Sequence, residues 1–254
     1  MILDKFRLDG KKALVTGASS GLGRAIAIAL GEAGADVACH ARTIGKANHT
    51  RQAISELGRQ SVEVVGDLAD KQTPQQIVDD TIEHFGRIDI LVNNAGMIRR
   101  SPATDHSAED WETVIEVNLS SIFRLSQAAG RRMIEQGSGK IINVASLLSF
   151  QGGLTVLAYT ASKSGVAGLT KALANEWARL GVCVNAIAPG YIVTANTEAL
   201  RSDETRNRQI IERIPAGRWG DPTDLAGAAV FLSSSASDYV HGHILVVDGG
   251  WMGR

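Results

Sequence analysis

The sequence of 254 residues has only two cysteines, five prolines and a formal net charge of −1. Cys39 and Cys183 lie in apolar segments, which predicts buried thiols rather than a disulfide or a nucleophile. The near-zero charge argues against a partner recognised through its phosphates, so we expect no nucleic-acid ligand. Scarce proline and the absence of low-complexity stretches or repeats leave no linker, so residues 1–254 are expected to form a single domain.

Long hydrophobic runs are also missing. No segment approaches the roughly 18 consecutive apolar residues of a membrane span, and Asp4, Lys5 and Arg7 place charges where a secretory signal would need an apolar core. We therefore expect a cytoplasmic protein without a membrane partner. The one close histidine pair, His241 and His243, has no cysteine or carboxylate at ligand spacing, so no metal site is predicted.

Short apolar segments alternate with helical stretches along the whole chain. This pattern predicts an α/β fold, a Rossmann-like doubly wound parallel sheet of about seven strands with helices on both faces. Long helices are predicted at 108–135 and 156–179. The predicted strands are 13–16, 36–41, 62–65, 88–92, 140–145, 182–188 and 244–247. Ligands of such sheets bind at the carboxyl ends of the strands, where the strand order reverses.

A glycine-rich turn follows the first predicted strand and precedes a helical segment. Gly17 permits a tight turn, Gly21 allows the backbone to approach a ligand, and Gly23 allows close packing of helix on strand. Exposed amides and the positive end of the helix dipole favour an anionic diphosphate there. A plain glycine-rich loop is the alternative, but a strand before the turn and a helix after it favour a nucleotide site.

Tyr159 and Lys163 are four residues apart in a predicted helix, so they share one face of it. A neighbouring ammonium stabilises the phenolate, which predicts that Lys163 lowers the pKa of Tyr159 into a working range. Ser146, at the end of a predicted strand, would hold the reacting oxygen by a hydrogen bond. Any amphipathic helix can carry such a pair by chance, so the prediction depends on the nucleotide signature in the same chain.

These motifs occur together with Asp67, with the Asn93–Gly96 stretch and with Pro189-Gly190. The chain thereby resembles the short-chain dehydrogenase/reductase family over essentially its whole length. The resemblance implies a catalytic tetrad of Asn118, Ser146, Tyr159 and Lys163. It also implies a nicotinamide cofactor that exchanges hydride while Tyr159 exchanges a proton, Ser146 polarises the carbonyl and Lys163 holds the ribose. In the family, the asparagine disturbs its helix and holds a water; a surface asparagine is the alternative.

The resemblance also implies which residues contact NAD(P)(H). Asp67 would contact the adenine, although a helix-capping aspartate is the alternative, and Asn93 and Gly96 would close the pocket around the ribose. The full set of expected cofactor contacts is Gly17, Ser19, Ser20, Gly21, Leu22, Gly23, Arg42, Asp67, Leu68, Asn94, Ala95, Gly96, Tyr159, Lys163, Pro189, Gly190, Ile192 and Thr194.

The end of the second predicted strand bears on the choice of nicotinamide. An acidic side chain there would bind the ribose 2′-hydroxyl of NAD, whereas an arginine can accept the 2′-phosphate of NADP. The segment 39–43 contains Arg42 and no acid, which favours NADP slightly. Ser19 and Ser20 supply no further basic side chain, so the preference rests on Arg42 alone.

Candidate substrate residues are Arg99 and Arg100, which could bind a carboxylate, and Gln151 and Tyr191, which could contact sugar hydroxyls. Arg218 is a further candidate, although solvated or interface arginines are equally consistent with the sequence. The polar, helical segment 191–213 is predicted to be a lid over the substrate.

Several stretches resemble the sugar-acid branch of the family. This implies oxidation or reduction of a keto or hydroxy group of a deoxy sugar acid, of the 2-deoxygluconate or 2-keto-3-deoxygluconate type, in the breakdown of uronic acids. The alternatives are a 3-oxoacyl-carrier-protein reductase, an enzyme of the gluconate 5-dehydrogenase kind, and a non-catalytic NAD(P) sensor. The family resemblance also implies a homotetramer, with the two long helices packing across a two-fold axis and the segment near Trp251 at another interface.

Overall fold

A computed structural model describes all of residues 1–254 and contains one seven-stranded parallel sheet. Its strands are β1 (Lys12–Val15), β2 (Asp36–Ala41), β3 (Ser61–Val65), β4 (Ile90–Asn93), β5 (Gly139–Val144), β6 (Val182–Pro189) and β7 (Ile244–Val247). Their order is β3-β2-β1-β4-β5-β6-β7, so the direction of winding reverses between β1 and β4. The predicted doubly wound fold is confirmed, and the reversal point is where such sheets bind ligands.

Helices cover both faces of the sheet because the strands are apolar on both sides. They are α1 (Gly21–Glu32), α2 (Asn48–Glu56), α3 (Thr73–Phe85), α4 (Ala108–Ile115), α5 (Ser121–Gln136), α6 (Leu157–Trp177), α7 (Glu198–Ser202), α8 (Glu204–Arg213) and α9 (Ala226–Ser233). Val15 packs into the apolar layer that includes α1 and α9, whereas its neighbour Leu14 packs into the layer that includes α3 and α5. None of these helices combines the length and apolar composition needed to cross a bilayer.

Two predicted element boundaries are wrong. The strand predicted at 88–92 begins two residues later, at Ile90, although the Asp89 backbone still pairs with both neighbours: its amide donates to the Lys12 carbonyl at 2.8 Å, and its carbonyl accepts from the Lys140 amide at 2.9 Å. The long helix predicted at 108–135 is interrupted by a π-helical turn, Glu116–Ser120, which separates α4 from α5. Asn118 lies in this turn, and such turns occur frequently at functional sites.

The predicted lid, 191–213, contains α7, α8 and a short 3₁₀ turn at Ala195–Thr197. One side of it is anchored, since Ile210 of α8 is buried in a small apolar cluster with Leu147, Ile214 and Trp251. Most other side chains of α7 and α8 are exposed. The segment is therefore packed against the protein through α8, and the rest of its surface is polar.

Candidate active site

A cleft of about 720 Å³ opens at the carboxyl ends of β1, β2 and β4. It runs from the glycine turn to α6, and its lining includes Thr194, Ala195 and Asn196, which precede α7. The structure brings together at this cleft most of the residues predicted from the sequence, namely Gly17, Ser19, Ser20, Gly21, Leu22, Gly23, Arg42, Asp67, Leu68, Asn94, Ala95, Gly96, Arg99, Tyr159, Lys163 and Thr194. No group of three or more His, Cys, Asp or Glu side chains is arranged to hold a metal ion.

The glycine turn forms a cradle for an anionic group. Gly17 and Gly21 have φ values of 65° and 54°, which other residues rarely adopt, and a Cβ on Gly23 would lie 2.2 Å from the Gly17 carbonyl oxygen. Ser20 precedes α1 and makes no side-chain capping bond, so the first amides of the helix have no such partner. Free amides at the positive end of a helix, facing a cleft, fit a diphosphate.

Tyr159 and Lys163 lie on adjacent turns of α6 and both line the cleft. The Lys163 Nζ atom is 5.6 Å from the centroid of the Tyr159 ring and donates a 2.6 Å hydrogen bond to the Val144 carbonyl at the end of β5. Lys163 is only 3% exposed, and burial lowers its pKa to about 8. A buried amine with one hydrogen-bond partner has further donors free to bind a ligand.

The prediction that Lys163 lowers the pKa of Tyr159 is wrong for this arrangement. The pKa of Tyr159 is raised, because burial disfavours the phenolate more than its neighbours favour it. The influences in the other direction are a hydrogen bond with the Ser146 side chain and the positive charge of Arg100. The Lys163 ammonium is instead engaged by the Val144 carbonyl.

Ser146 follows β5 and begins the 3₁₀ turn Leu147–Ser149. Its hydroxyl accepts a 3.1 Å hydrogen bond from the Leu148 amide, and this fixes the side chain beside the phenol of Tyr159. The hydroxyl hydrogen is left free to donate to another oxygen. Ser146 is thus held at the edge of the cleft, although it is not among the residues that line it.

Asn118 lies behind the residues that line the cleft. Its side chain accepts a 2.8 Å bond from the Met97 amide and donates a 2.9 Å bond to the Met97 carbonyl, and it also reaches the Ser162 hydroxyl at 3.3 Å. It is fully buried. The π turn therefore ties the loop that carries Gly96 to α6, so Asn118 is not the surface residue of the alternative interpretation.

The two adjacent asparagines at the end of β4 have different surroundings, and the expected ribose contact of Asn93 is wrong. Asn93 is 1% exposed, and its amide donates to Ser126 at 3.1 Å and to Asn143 at 2.9 Å inside the core. Asn94 lines the cleft, where its amide donates to the Thr16 carbonyl at 2.8 Å. Asn94 thereby joins the end of β4 to the glycine turn.

The candidate arginines are distinguished by their partners. Arg99 forms an ion pair with Asp110 at 3.2 Å, and Arg218 forms a bidentate pair with Asp224 at 2.7 and 3.0 Å. Arg100 has no carboxylate partner; its one hydrogen bond is a long 3.4 Å contact to the Asn196 carbonyl. Its charge also acts on Tyr159. Arg100 is thus the arginine with an unpaired charge near the phenol.

Tyr191 packs against an aromatic wall formed by Trp219 and Trp251, and Gln151 contacts Trp251. The Tyr191 ring lies 5.5 Å from that of Trp219 and 4.6 Å from that of Trp251, and the Trp251 indole contacts the Gln151 side chain at 3.5 Å. Of the predicted substrate residues, Arg99 lines the main cleft, whereas Arg100, Gln151 and Tyr191 do not. The predicted cofactor contacts Pro189, Gly190 and Ile192 also lie outside its lining, and Ile192 is buried.

Asp67 lines the cleft and also forms a hydrogen bond within its own loop. Its carboxylate accepts a 2.9 Å bond from the Ala69 amide within the turn after β3, and it does not cap a helix, since α3 begins only at Thr73. The sequence interpretation missed further lining residues: His40, Ala41, Gly66, Ala69, Met97, Thr113, Val117, Val144, Ala195 and Asn196. For His40 a signal existed, because residues two apart in a strand share a face and Arg42 is a predicted cofactor contact.

A glycine cradle at the reversal point of a parallel sheet, facing a serine, a tyrosine and a lysine, defines a dinucleotide-dependent oxidoreductase. The chain belongs to the short-chain dehydrogenase/reductase family, and a family profile described as enoyl-(acyl carrier protein) reductase matches residues 17–252. It is 56% identical over 253 residues to 2-dehydro-3-deoxy-D-gluconate 5-dehydrogenase from Bacillus subtilis, covering 99% of this chain and 98% of that relative.

Solved structures of related proteins support the same family assignment. One from Agrobacterium tumefaciens with bound NADP, provisionally named 2-deoxy-D-gluconate 3-dehydrogenase, is 55% identical with a TM-score of 0.92, covering 98% of this chain and 99% of that one. A gluconate 5-dehydrogenase from Burkholderia cenocepacia in complex with NADP and tartrate is 41% identical with a TM-score of 0.96, covering both chains fully. The protein is an NAD(P)-dependent oxidoreductase.

Proposed function

We propose that this enzyme interconverts the keto and hydroxy forms of a deoxy sugar acid, of the 2-keto-3-deoxygluconate or 2-deoxygluconate type, in the breakdown of uronic acids. The observation that carries the proposal is Arg100, an arginine without a carboxylate partner whose charge acts on the phenol of Tyr159. A substrate whose carboxylate pairs with Arg100 would place its hydroxyl or keto carbons beside Tyr159. The high identity to a dehydrogenase named for such a substrate supports this assignment.

The chemistry follows from the positions of three side chains. Tyr159 gives a proton to the carbonyl oxygen in reduction and removes it in oxidation, while the Ser146 hydroxyl donates to the same oxygen. Bound nicotinamide would supply or accept the hydride. Lys163 would hold the ribose hydroxyls with the donors that Val144 leaves free. Positioning reacting groups in this way can contribute on the order of 7 kcal/mol to barrier lowering.

Asn118 has a positioning role in this proposal. Its paired hydrogen bonds to Met97 fix the loop after β4 against α6. Gly96 lies in that loop close to the amine of Lys163, since a Cβ on Gly96 would be 3.8 Å from Nζ. The ribose would therefore occupy a space bounded by backbone, where a side chain would obstruct it.

We infer that the cofactor is NADP(H). Arg42 lines the adenosine end of the cleft, is exposed, and has no ion-pair partner, so its guanidinium can meet a 2′-phosphate. No acidic residue occupies the end of β2, where an NAD-selective enzyme would bind the 2′-hydroxyl. Both related structures described above contain NADP.

The remaining substrate contacts would come from the segment 191–213 and the aromatic wall. Gln151 and Tyr191 present polar atoms beside Trp251, and Asn196 lines the cleft near Arg100. Closure of this segment would bring these groups over a polyhydroxylated chain and exclude water. An acyl chain on a carrier protein would need an apolar groove here, so the alternative of a 3-oxoacyl reductase is less well supported.

We further propose that residues 1–254 act as a single unit within a homotetramer in the cytoplasm. Phe123 on α5 and Leu157 on α6 are large apolar side chains that are 45% exposed, which suits burial across a two-fold axis. Both cysteines are free thiols, as expected of a reducing compartment. Measurement of the mass in solution by light scattering tests the assembly, and a monomer would contradict it.

A spectrophotometric screen of purified enzyme tests the function. Keto-deoxy and hydroxy sugar acids, gluconate, 5-ketogluconate and 3-oxoacyl thioesters are each assayed with NADP(H) and NAD(H). We expect the highest kcat/KM with a deoxy sugar acid and NADP(H). Turnover of acyl thioesters without turnover of any sugar acid would overturn the substrate assignment.

A further inference from the structure

His40 is a buried histidine at the adenosine end of the cleft that the mechanism does not use. It lies in β2, two residues before Arg42, and is 3% exposed. Its ring Nδ1 accepts a 3.3 Å hydrogen bond from the Gly17 amide, and its Nε2 contacts the Gly66 carbonyl at 3.0 Å. Its backbone carbonyl also accepts from the Ala18 amide at 2.9 Å. One residue therefore binds the glycine turn and the loop that follows β3.

The two ring contacts specify the protonation state of the imidazole. An amide N–H can only donate, so Nδ1 facing Gly17 must carry no proton; a carbonyl can only accept, so Nε2 facing Gly66 must carry one. Only the neutral imidazole protonated at Nε2 satisfies both. An imidazolium would direct an N–H at the Gly17 N–H and lose that bond.

The groups joined by His40 belong to two walls of the proposed cofactor pocket, which follow the strands on either side of β2. Gly17 begins the cradle for the diphosphate, and Gly66 precedes Asp67, which lines the adenine end. We propose that neutral His40 is a positioning residue that sets the spacing between these two walls, and that protonating it loosens the adenosine pocket and weakens dinucleotide binding in acid. This inference rests on the proposed NADP(H)-binding function and adds a pH-dependent control to it.

The surroundings of the ring favour its neutral form. Burial lowers the pKa of His40 below its usual 6.5, opposed by the Gly66 carbonyl and the negative charge of Asp67. Asp67 is the charged group that acts on the ring. The glycine turn presents backbone amides, and the residue of β3 paired with His40 is apolar. Arg51 and Glu63 act on Cys39, whose side chain points to the opposite face of β2.

Binding measurements across pH, with a matched pair of variants, test the inference. The dissociation constants of NADPH and NADH are measured by fluorescence between about pH 8 and about pH 5 for the wild type, His40→Gln and His84→Gln. Glutamine places a permanently neutral donor near the Nε2 position and cannot be protonated. His84 is exposed on α3 and outside the cleft, so it controls for loss of a histidine.

In the wild type and in His84→Gln, we expect affinity to fall with acid by about tenfold more than in His40→Gln, whose curve should be flatter for both nucleotides. NADH lacks the 2′-phosphate, so its curve excludes titration of that phosphate as the cause. The kcat at saturating cofactor should change much less than the KM for cofactor. Parallel curves for the wild type and His40→Gln would overturn the inference.

A second measurement does not depend on the variant folding. Calorimetric titration of wild-type enzyme with NADH below the pKa of His40, in buffers of different ionisation enthalpy, counts the protons released on binding. Release of a fraction of a proton that vanishes at neutral pH is expected, and the absence of release contradicts the inference. Wild-type enzyme that binds neither nucleotide at any pH would instead refute the proposed function.

Discussion

The amine of Lys163 lies 5.6 Å from the centre of the Tyr159 ring, one helical turn away on the same face of α6. The amine is held by the Val144 carbonyl and the pKa of the phenol is raised by burial, so the pair does not form a preformed phenolate. The acid form of Tyr159 is thus the one favoured at neutral pH, and in this form it can donate a proton to a carbonyl.

Replacing Tyr159 with phenylalanine removes the proton donor and leaves the ring in place. We expect kcat to fall by about 10²-fold to 10⁴-fold, with the dissociation constant for NADPH changed by less than about threefold. Steady-state rates and fluorescence titration measure the two quantities. Tyr239→Phe is the control, because Tyr239 is fully exposed. Near-normal turnover of Tyr159→Phe would show that another group transfers the proton.

Replacing Lys163 with methionine should abolish turnover and yet stabilise the protein near neutral pH. Burial lowers the pKa of Lys163 from 10.5 to about 8, so the unfolded chain binds more protons between these values. Stability therefore rises as pH increases from about 8 toward 10.5, and the cost of the buried charge is complete below about 8. Loss of the bond to Val144 offsets part of the gain, leaving roughly 1–3 kcal/mol.

Denaturant unfolding of the wild type and Lys163→Met at several pH values measures this effect. The stability difference should shrink as pH rises through the interval given above. Lys171→Met is the control, since Lys171 lies exposed on the same helix. A variant that is less stable than wild type at every pH would show that the amine contributes more by its hydrogen bond than burial costs.

The two adjacent arginines should differ in their effect on substrate affinity. Arg100→Gln is expected to raise KM for the sugar acid by about 10-fold to 100-fold, because a charged hydrogen bond is worth roughly 1.5–3 kcal/mol. Arg99→Gln is the matched control, since its guanidinium is paired with Asp110. Equal effects of the two substitutions on KM would remove the assignment of Arg100 to the carboxylate.

Arg42→Asp should reverse the preference between nicotinamides. An aspartate at this position repels the 2′-phosphate and can bind the 2′-hydroxyl, so kcat/KM with NADP is expected to fall about tenfold or more while that with NAD rises. Arg131→Asp, at an exposed site on α5, controls for the change of net charge. An unchanged ratio of the two kcat/KM values would place phosphate recognition elsewhere.

Two glycine substitutions should have opposite effects on stability. In Gly23→Ala the new methyl group would lie 2.2 Å from the Gly17 carbonyl oxygen, so the cradle must deform and both stability and NADPH affinity should fall. A methyl group on Gly168, inside α6, would meet no atom within 4 Å, so Gly168→Ala should gain up to about 1 kcal/mol. Thermal unfolding compares the two, and a stable Gly23→Ala enzyme with wild-type affinity would contradict the steric argument.

The strands and the glycine turn could be predicted because their signals are local. Runs that are apolar on both faces identify parallel strands, and a turn between strand and helix identifies the cradle. Helix propensity could not predict the π turn at Glu116–Ser120, because its stabilising bonds join Asn118 to Met97, a residue distant in sequence; only the family resemblance implied a disturbed helix at Asn118. Helix propensity depends on neighbours along the chain, and therefore predicts one continuous helix there.

The remaining features of the site could not be predicted, because they depend on the direction in which each side chain points. Arg99 and Arg100 are equivalent in sequence, and Asp110 on α4 decides between them only in three dimensions. Asn93 and Asn94 are likewise adjacent, but they face different sides of the sheet end, one in the core and one in the cleft. The pKa of Tyr159 depends on how deeply the phenol is buried, which motif spacing does not report.

The contact between Arg100 and the Asn196 carbonyl bears on how the segment that precedes α7 is held. A guanidinium has five N–H donors, so Arg100 can bind a substrate carboxylate with two of them and still donate to the Asn196 carbonyl. An acid substrate would therefore share one side chain with the segment that precedes α7, and its charged bond would fix that side chain in place. Departure of product would free the guanidinium again, so occupancy of the cleft would decide how firmly this segment is held.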